Sequence, residues 1–198
     1  WWADKWIGVL ESFGWANRLQ RGRNYARHGH VLDIDISPGT IEAKVQGTSS
    51  RPYRVTIHIK PLSQEEWQNV IETMASHAIF VARLLADEMP QDIEVIFTEA
   101  GVSLFPDSSG DISTTCSCPD WANPCKHIAA VHYILAQEFD QNPFLIFKIR
   151  GMDPDILVET LRQKRSTTSK DEDFHMEDET PEHEIQPLNM ESFWKCGS

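Results

Sequence analysis

Apolar and polar side chains alternate most regularly between residues 30 and 60. In VLDIDISPGTIEAKVQG, Leu32, Ile34 and Ile36 fall on one face of an extended chain, with polar residues between them. A period of two is typical of a strand with one buried face. SPGT supplies turn residues after the first run, and RPYRVTIHIKPL then repeats the alternation. The pattern therefore predicts an antiparallel hairpin followed by a third strand.

Apolar residues at helical spacing predict helices in the other segments. Ser63 and Glu66 have the spacing of a capping box, and the apolar pattern after them continues up to Pro90 as one or two helices. Gly29 suits the end of a short basic helix, because glycine readily adopts the left-handed conformation found there. The segments with predicted helices are residues 18–29, 63–89, about 126–139 and 153–164.

Two further segments are interpreted from the same pattern. In DIEVIFTEAGVSLFPD, Ile93, Val95 and Phe97 alternate ahead of Gly101, which predicts a second hairpin at 92–106. The first 17 residues are rich in tryptophan, and we favour a segment packed on the core over a docking face, because aromatic stripes are usually core. The tryptophans of that segment are Trp1, Trp2, Trp6 and Trp15.

The net formal charge of the 198 residues is −12, but it is unevenly distributed. Residues 166–198 contain nine acidic residues and two lysines, whereas residues 18–60 contain eight arginines or lysines and three acids. An acidic protein can therefore still present a basic surface. The acidic tail has little to bury and is predicted to be disordered. Near its end, Phe193 and Trp194 are predicted to dock in a hydrophobic groove on this chain or on a partner, and an end that docks nowhere is the alternative.

The composition predicts a globular protein of the cytoplasm. Apolar residues make up 40% of the chain, and no run approaches the roughly 18 consecutive apolar residues of a membrane span. The start, WWADKWIGVL, lacks the basic region of a signal peptide. Four cysteines, three of them clustered, are typical of a reducing compartment rather than of a secreted disulfide scaffold.

The stretch CSCPDWANPCKH, residues 116–127, has the pattern C-x-C-x6-C-x-H. Cysteines two apart on a strand point to the same face. Asn123-Pro124 predicts a turn into a helix, with the third cysteine at the helix start and the histidine in its first turn. Two thiolates from the strand, and one thiolate and an imidazole from the helix, can then surround one ion. The pattern predicts a structural zinc site with the ligands Cys116, Cys118, Cys125 and His127.

Other interpretations of these cysteines are weaker. Cys116 and Cys118 lie too far apart on one strand face to form a disulfide easily. A catalytic cysteine needs a single activated thiol with a positioned base, and three clustered thiols do not match that arrangement. Inert buried cysteines would not require this spacing. His132 is a spare candidate, but it lies off the face of His127 and is left out of the ligand set.

With Trp121 in the loop and HIAAVHYIL after the last ligand, this pattern resembles the SWIM zinc finger, here over residues 98–139. The layout of residues 1–165, with RGRNYARHGHV, a hairpin and QEEWQNVIETMA ahead of the finger, is similar to bacterial SWIM proteins often encoded beside Snf2-type helicases. The resemblance implies a zinc-binding module without enzymatic activity that contacts a Snf2-type helicase or ATPase, DNA or both. It also implies a bacterial protein of the cytoplasm or nucleoid.

The expected architecture is α+β: antiparallel β-hairpins with packed helices, a zinc-stapled ββα finger and a disordered acidic tail. The chain is expected to consist of four regions. The first is an N-terminal α+β region that contains the Trp-rich start and the basic segment, and it is followed by the finger, a helical extension and the tail. These regions are predicted at 1–97, 98–139, 140–165 and 166–198.

Three functions are weighed from the residues. None of the common nucleotide-binding, metalloprotease or nucleophile-elbow motifs is found, so we expect no enzyme and no small-molecule substrate. An adaptor is favoured by the Trp-rich start, the apolar end of the tail and the overall acidity. The alternative function is a stand-alone zinc finger that binds nucleic acid and tethers partners to it. The basic residues that favour this function could instead form a solvated surface that pairs with the acidic tail. Its candidate residues are Arg18, Arg21, Arg23, Arg27, Arg51 and Arg54.

Overall fold

Eight α-helices and four β-strands form over residues 1–172, the part of the chain that the computed structural model describes, with side chains described as far as Ser166. The helices are α1 (Trp2–Leu10), α2 (Ala16–Arg27), α3 (Gln64–Ser76), α4 (Ala78–Leu85), α5 (Glu94–Glu99), α6 (Lys126–Gln141), α7 (Leu145–Ile149) and α8 (Pro154–Glu172). The strands are β1 (Val31–Ser37), β2 (Thr40–Val45), β3 (Tyr53–Ile59) and β4 (Ile112–Cys116).

The four strands form one antiparallel sheet in the order β1-β2-β3-β4. β1 and β2 are the predicted hairpin, and β3 pairs with β2 so that Tyr53 lies opposite Val45. β4 follows α3, α4 and α5 in the chain, yet it pairs with β3, so that Cys116 lies opposite Val55. The strand that carries the first predicted zinc ligand is therefore joined to a sheet made mostly from the N-terminal region.

One face of the sheet is buried and the other is polar, as the alternation predicts. The expected α+β class is confirmed by this sheet and the helices packed on it. The buried positions on the core face are Ile41, Ala43, Val45, Val55, Ile57, Ile59 and Ile112.

α6 lies at the centre of the compact unit formed by Trp1–Arg165. It contacts all four strands as well as α1 and α2. Nine of its residues between His127 and Phe139 are buried, as expected for a helix that is covered on several sides. The helix that begins at the predicted zinc site thus connects that site to most of the core.

The N-terminal segment packs on this core, as favoured from the sequence. Trp6 is fully buried, and its ring meets that of Phe139 edge-on at 5.5 Å between centroids. α1 passes into α2 through a π-helical turn, Glu11–Trp15, in which Gly14 has a φ of +80°. Glycine adopts that conformation without steric cost, and here it redirects the chain between the two helices.

The predicted hairpin at 92–106 is wrong, because this segment contains α5. Ile93, Ile96 and Phe97 are buried while Val95 is 49% exposed, so the buried positions follow helical spacing rather than alternation. The apolar residues Ile93, Val95, Ile96 and Phe97 fit both periods in part, and packing selects the helix. The expected ββα finger therefore uses β3 as the partner of β4 rather than a strand of its own.

The other predicted elements are confirmed with small shifts in their bounds. Ser63 and Glu66 form the predicted capping box: the Glu66 amide donates to the Ser63 hydroxyl at 3.2 Å, and the Ser63 amide donates to the Glu66 carboxylate at 2.6 Å. Gly29 follows α2 with a φ of +69°. No helix within the described part of the chain is long and apolar enough to cross a membrane.

The last helix is longer than predicted. α8 continues to Glu172, beyond the expected end near residue 164. Neither glycine nor proline interrupts residues 155–172, so nothing in the local sequence forces the helix to stop. The remainder of the predicted tail, with the predicted docking of Phe193 and Trp194, lies outside the described residues.

Candidate metal centre

The structure brings the four predicted ligands together. The three Sγ atoms and the His127 Nδ1 atom all lie within 4.8 Å of one another. Cys118 Sγ is 3.6 Å from Cys125 Sγ, and His127 Nδ1 is 3.8 Å from Cys125 Sγ and 3.9 Å from Cys116 Sγ. One ion could therefore contact all four side chains.

Backbone pairing beyond β4 positions the two cysteines of the C-x-C. Cys116 is the last residue of β4, and Ser117 continues the pairing with β3: its amide donates to the Arg54 carbonyl, and its hydroxyl accepts from the Arg54 amide, both at 2.9 Å. The chain therefore stays attached to β3 while it bends at Ser117 and Cys118, and both thiols lie beside the ligands at the start of α6.

The start of α6 positions the other two ligands. Cys125 is the N-cap residue, with an extended backbone, and its carbonyl accepts the first helical hydrogen bond from Ala129 at 2.9 Å. His127 is therefore in the first turn, and its imidazole is buried. This agrees with the arrangement expected from the C-x-H spacing.

The loop between the two pairs of ligands is fastened to β4. The Asn123 side chain hydrogen-bonds Thr114 twice, through the Thr114 hydroxyl and, at 3.3 Å, through the Thr114 carbonyl. Within the loop, the Ala122 amide donates to the Asp120 carboxylate at 3.0 Å. The role of Asn123 was not apparent from the sequence, where it was only the first residue of an Asn-Pro turn.

The contacts between the thiols favour ionisation of Cys125 and oppose that of Cys116. The hydrogen bond with Cys116, together with the backbone amides of Ile128 and His127 at the helix start, lowers the pKa of Cys125 to about 5. The same contact with Cys125 and burial raise the pKa of Cys116, and burial raises that of Cys118. Three thiolates in so small a volume require a cation, because like charges repel strongly where water is excluded.

The donor set and its dimensions fit zinc. With Zn–S bonds of about 2.3 Å and Zn–N bonds of about 2.0 Å, the ligand atoms of a tetrahedral site lie roughly 3.5 to 3.8 Å apart. The sulfur–sulfur distance between Cys118 and Cys125, 3.6 Å, is close to the tetrahedral value, and the two sulfur–nitrogen distances, 3.8 and 3.9 Å, are a few tenths of an ångström longer than it. Three thiolates and one imidazole fill all four positions, which is typical of structural zinc and leaves no position for a substrate.

Aromatic rings enclose the histidine. The His127 ring lies 4.8 Å from the Tyr53 ring and 5.4 Å from the Tyr25 ring, between centroids. Its Nε2 atom faces Gly47, where an added Cβ would be only 3.0 Å away. Among the described residues, buried Nε2 has no hydrogen-bond partner, so packing rather than a hydrogen bond fixes the orientation of the imidazole.

His132, which the sequence left out of the ligand set, lies elsewhere. It is fully buried, with its ring 5.8 Å from that of Trp6 and 5.9 Å from that of Trp15. Burial lowers its pKa to about 3, so the side chain is neutral at physiological pH. It is part of the aromatic core under α1.

The structure distributes the six predicted nucleic-acid residues over several surfaces. Arg18 and Arg21 of α2 line a cleft of about 500 Å³ next to the zinc loop. Trp121 and Lys126 line the same cleft, although neither was among the predicted nucleic-acid residues. Both could have been considered from the sequence, since they lie within the zinc motif itself.

Of the remaining four arginines, three line clefts that also contain acidic side chains, and the fourth lies on a separate loop. Arg23 and Arg27 share a second cleft with Asp4 and Glu11, on another side of α2. Arg54 lies in a depression on the polar face of the sheet, and Arg51 is exposed in the loop between β2 and β3. The acidic residues in that depression are Asp33, Asp35 and Glu42.

Comparison with known proteins agrees with the site. Residues 102–134 match the SWIM zinc finger family. The chain is 46% identical over 166 residues to uncharacterized protein Rv2102 of Mycobacterium tuberculosis, a match that covers 84% of this chain. The chain spans about 60% of the length of that relative. No solved structure matches the chain.

Proposed function

We propose that this chain, a SWIM zinc finger protein, is a non-enzymatic accessory protein that binds a Snf2-type helicase or ATPase. The closed zinc site carries the proposal. All four ligand positions come from the protein, so the ion stabilises structure and does not activate water or substrate. The function then depends on the surface that the zinc holds in place.

The position of the zinc site indicates which surface that is. The site joins the end of β4 to the start of α6, and α6 packs on α2. Zinc binding contributes directly to folding free energy in such small modules. We therefore place the functional surface on the zinc loop and the adjacent helix α2.

The choice of partner is supported by the resemblance to bacterial SWIM proteins encoded beside Snf2-type helicases. A zinc module without a nucleotide-binding motif complements an ATPase that has one, since the two together supply the motor and its recognition surface. The overall charge of −12 also disfavours strong binding to free DNA by this chain alone.

A second candidate function is nucleic-acid tethering. The arginines of α2 that line the cleft beside the zinc loop favour it, because phosphate groups bind clustered arginines. In this alternative the chain would recruit partners to nucleic acid without contacting an ATPase directly.

The test is affinity recovery of the tagged chain from native lysate, with and without nuclease. Recovery of a Snf2-type ATPase that resists nuclease supports the accessory role. Loss of every partner after nuclease treatment contradicts it and supports tethering. A Cys118→Ser variant is the control, because a partner that recognises the zinc-held surface should no longer be recovered.

A further inference from the structure

An exposed tryptophan on the zinc loop has no role in packing. Trp121 is 91% exposed, although it is the largest apolar side chain in the loop. The loop around it is fixed by the zinc ligands at both ends and by the hydrogen bonds of Asn123 to Thr114. A rigid loop thus presents an indole face to solvent, where burial would have been favourable by about 2 kcal/mol.

Three cations line the cleft that contains this indole, and the ammonium of one of them, Lys126, lies 4.7 Å from the centre of the Tyr25 ring. Arg18, Arg21 and Lys126 line the same cleft as Trp121, and Asp120 is the one carboxylate among its lining residues. The Arg18 guanidinium donates to the Pro124 carbonyl of the loop at 3.5 Å. With the thiolate of Cys125 counted beside Asp120, the lining side chains carry three positive and two negative charges, a net charge of +1.

Two other clefts lined by arginines differ in charge from this one. The cleft lined by Arg23 and Arg27 also contains two acidic side chains, so its charge is balanced. The depression that holds Arg54 contains three acids against two cations. Of these three surfaces, only the one beside Trp121 has an excess of positive charge to attract phosphates.

We propose that Trp121 and the cations beside it, Arg18, Arg21 and Lys126, form a binding site for single-stranded nucleic acid. A base stacks on the indole, and the flanking phosphates contact the three cations. The inference deepens the nucleic-acid part of the proposed function and rests on it. It does not depend on the ATPase partner.

The surroundings of the indole favour a single strand over a duplex or a protein. In a duplex the base faces are already stacked, whereas a single strand can place one on an aromatic side chain. A tryptophan at a protein interface is typically buried among other apolar groups. Here five of the other lining residues are charged or amide side chains, and the remaining three are Ala122, Pro124 and the zinc ligand Cys125.

The experiment measures binding of the full chain, loaded with zinc, to labelled oligo(dT) and oligo(U) by fluorescence anisotropy from about 50 to 200 mM salt. Trp121→Ala should weaken binding about 5- to 150-fold, the range found when a stacking side chain is removed. Trp121→Phe should restore most of it. Arg18→Glu with Arg21→Glu should reduce the slope of log affinity against log salt by about 1.4, roughly 0.7 for each lost phosphate contact. Comparing the two oligonucleotides shows whether DNA or RNA is preferred.

The matched control is Arg23→Glu with Arg27→Glu, the same charge change on the balanced cleft of the same helix. If only this pair weakens binding, nucleic-acid contact stands but the proposed site is wrong. No binding of either oligonucleotide at low salt overturns both the site and the tethering function. If Trp121→Ala leaves oligonucleotide binding intact but abolishes recovery of an ATPase, the surface is a protein interface and the inference is overturned. Zinc content and melting temperature, both expected to be unchanged in Trp121→Ala, exclude misfolding as the cause.

Discussion

Gly22 of α2 lies so close to Ala129 of α6 that a Cβ added at Gly22 would be 2.4 Å from the Ala129 Cβ and 2.5 Å from its carbonyl carbon. This contact joins the helix that carries Arg18 and Arg21 to the helix that begins at the zinc site. The absence of a side chain at Gly22 is thus what allows the basic surface and the metal centre to lie side by side.

Replacing Gly22 by alanine should therefore destabilise the protein by about 1 to 3 kcal/mol or more. The atoms in the way include backbone, which cannot move aside as a flexible side chain could. The measurement is the free energy of unfolding in denaturant. Gly8→Ala is the matched control: no atom lies within 4 Å of the added Cβ, and a helical glycine-to-alanine change should stabilise by about 0.5 to 1 kcal/mol. Equal stability of the two variants would show that the helices are not in such close contact.

The zinc site predicts one zinc ion per chain. Cys118→Ser should remove the metal and lower the melting temperature, because Cys118 lies 3.6 Å from Cys125 and completes the four ligands. Elemental analysis and thermal denaturation measure the two effects. Cys196→Ser is the same chemical change outside the C-x-C-x6-C-x-H motif, and it should leave the zinc content unchanged. Protein purified without chelators that contains no zinc would contradict the assignment.

Gly47 predicts a second, indirect way to weaken the site. A Cβ there would be 2.4 Å from the Tyr53 ring and 3.0 Å from His127 Nε2. Gly47→Ala should displace these rings, and with them the imidazole ligand, with a loss of about 1 to 3 kcal/mol in stability and a lower zinc affinity. Competition with a chromophoric chelator measures the affinity. Gly110→Ala, whose nearest contact is 3.4 Å away, should bind zinc like the wild type; if Gly47→Ala does so too, the histidine does not depend on this packing.

His132 predicts an acid-dependent loss of stability. Burial lowers its pKa in the folded state to about 3 from an ordinary value of 6.5, so the unfolded chain takes up a proton at higher pH than the folded chain. Its stabilising contribution is complete above about pH 6.5 and is lost as the pH falls toward 3. The expected loss between pH 8 and pH 5 is about 2 kcal/mol.

The test compares the free energy of unfolding of wild type and His132→Leu across this pH range. Both proteins keep the zinc ligands, so acid release of the metal affects them alike, and the difference between the two curves isolates His132. The variant should lose less stability than the wild type as the pH decreases. Parallel curves would mean that His132 is protonated equally in the folded and unfolded states.

Local features of the sequence determined the zinc site and the hairpin. The four ligands lie within twelve residues, and the strand and helix periods on either side fix the directions of their side chains. Ser63 with Glu66, and Gly29, likewise act on neighbours in the chain, and both have the predicted roles. Such features depend on short-range geometry that the order of residues already contains.

Tertiary packing decided the rest. The pairing of β4 with β3 joins segments separated by three helices, and nothing local specifies it. Packing against the core, rather than the period of the sequence, made Ile96 a buried helical residue. The same packing divided the α2 arginines between two clefts, placed Trp121 beside Arg18 and Arg21, and buried His132 among tryptophans. These relationships depend on which faces of the helices and strands meet in space. The hydrophobic effect that brings the faces together depends on the apolar surface area that is buried, and not on where the residues lie in the sequence.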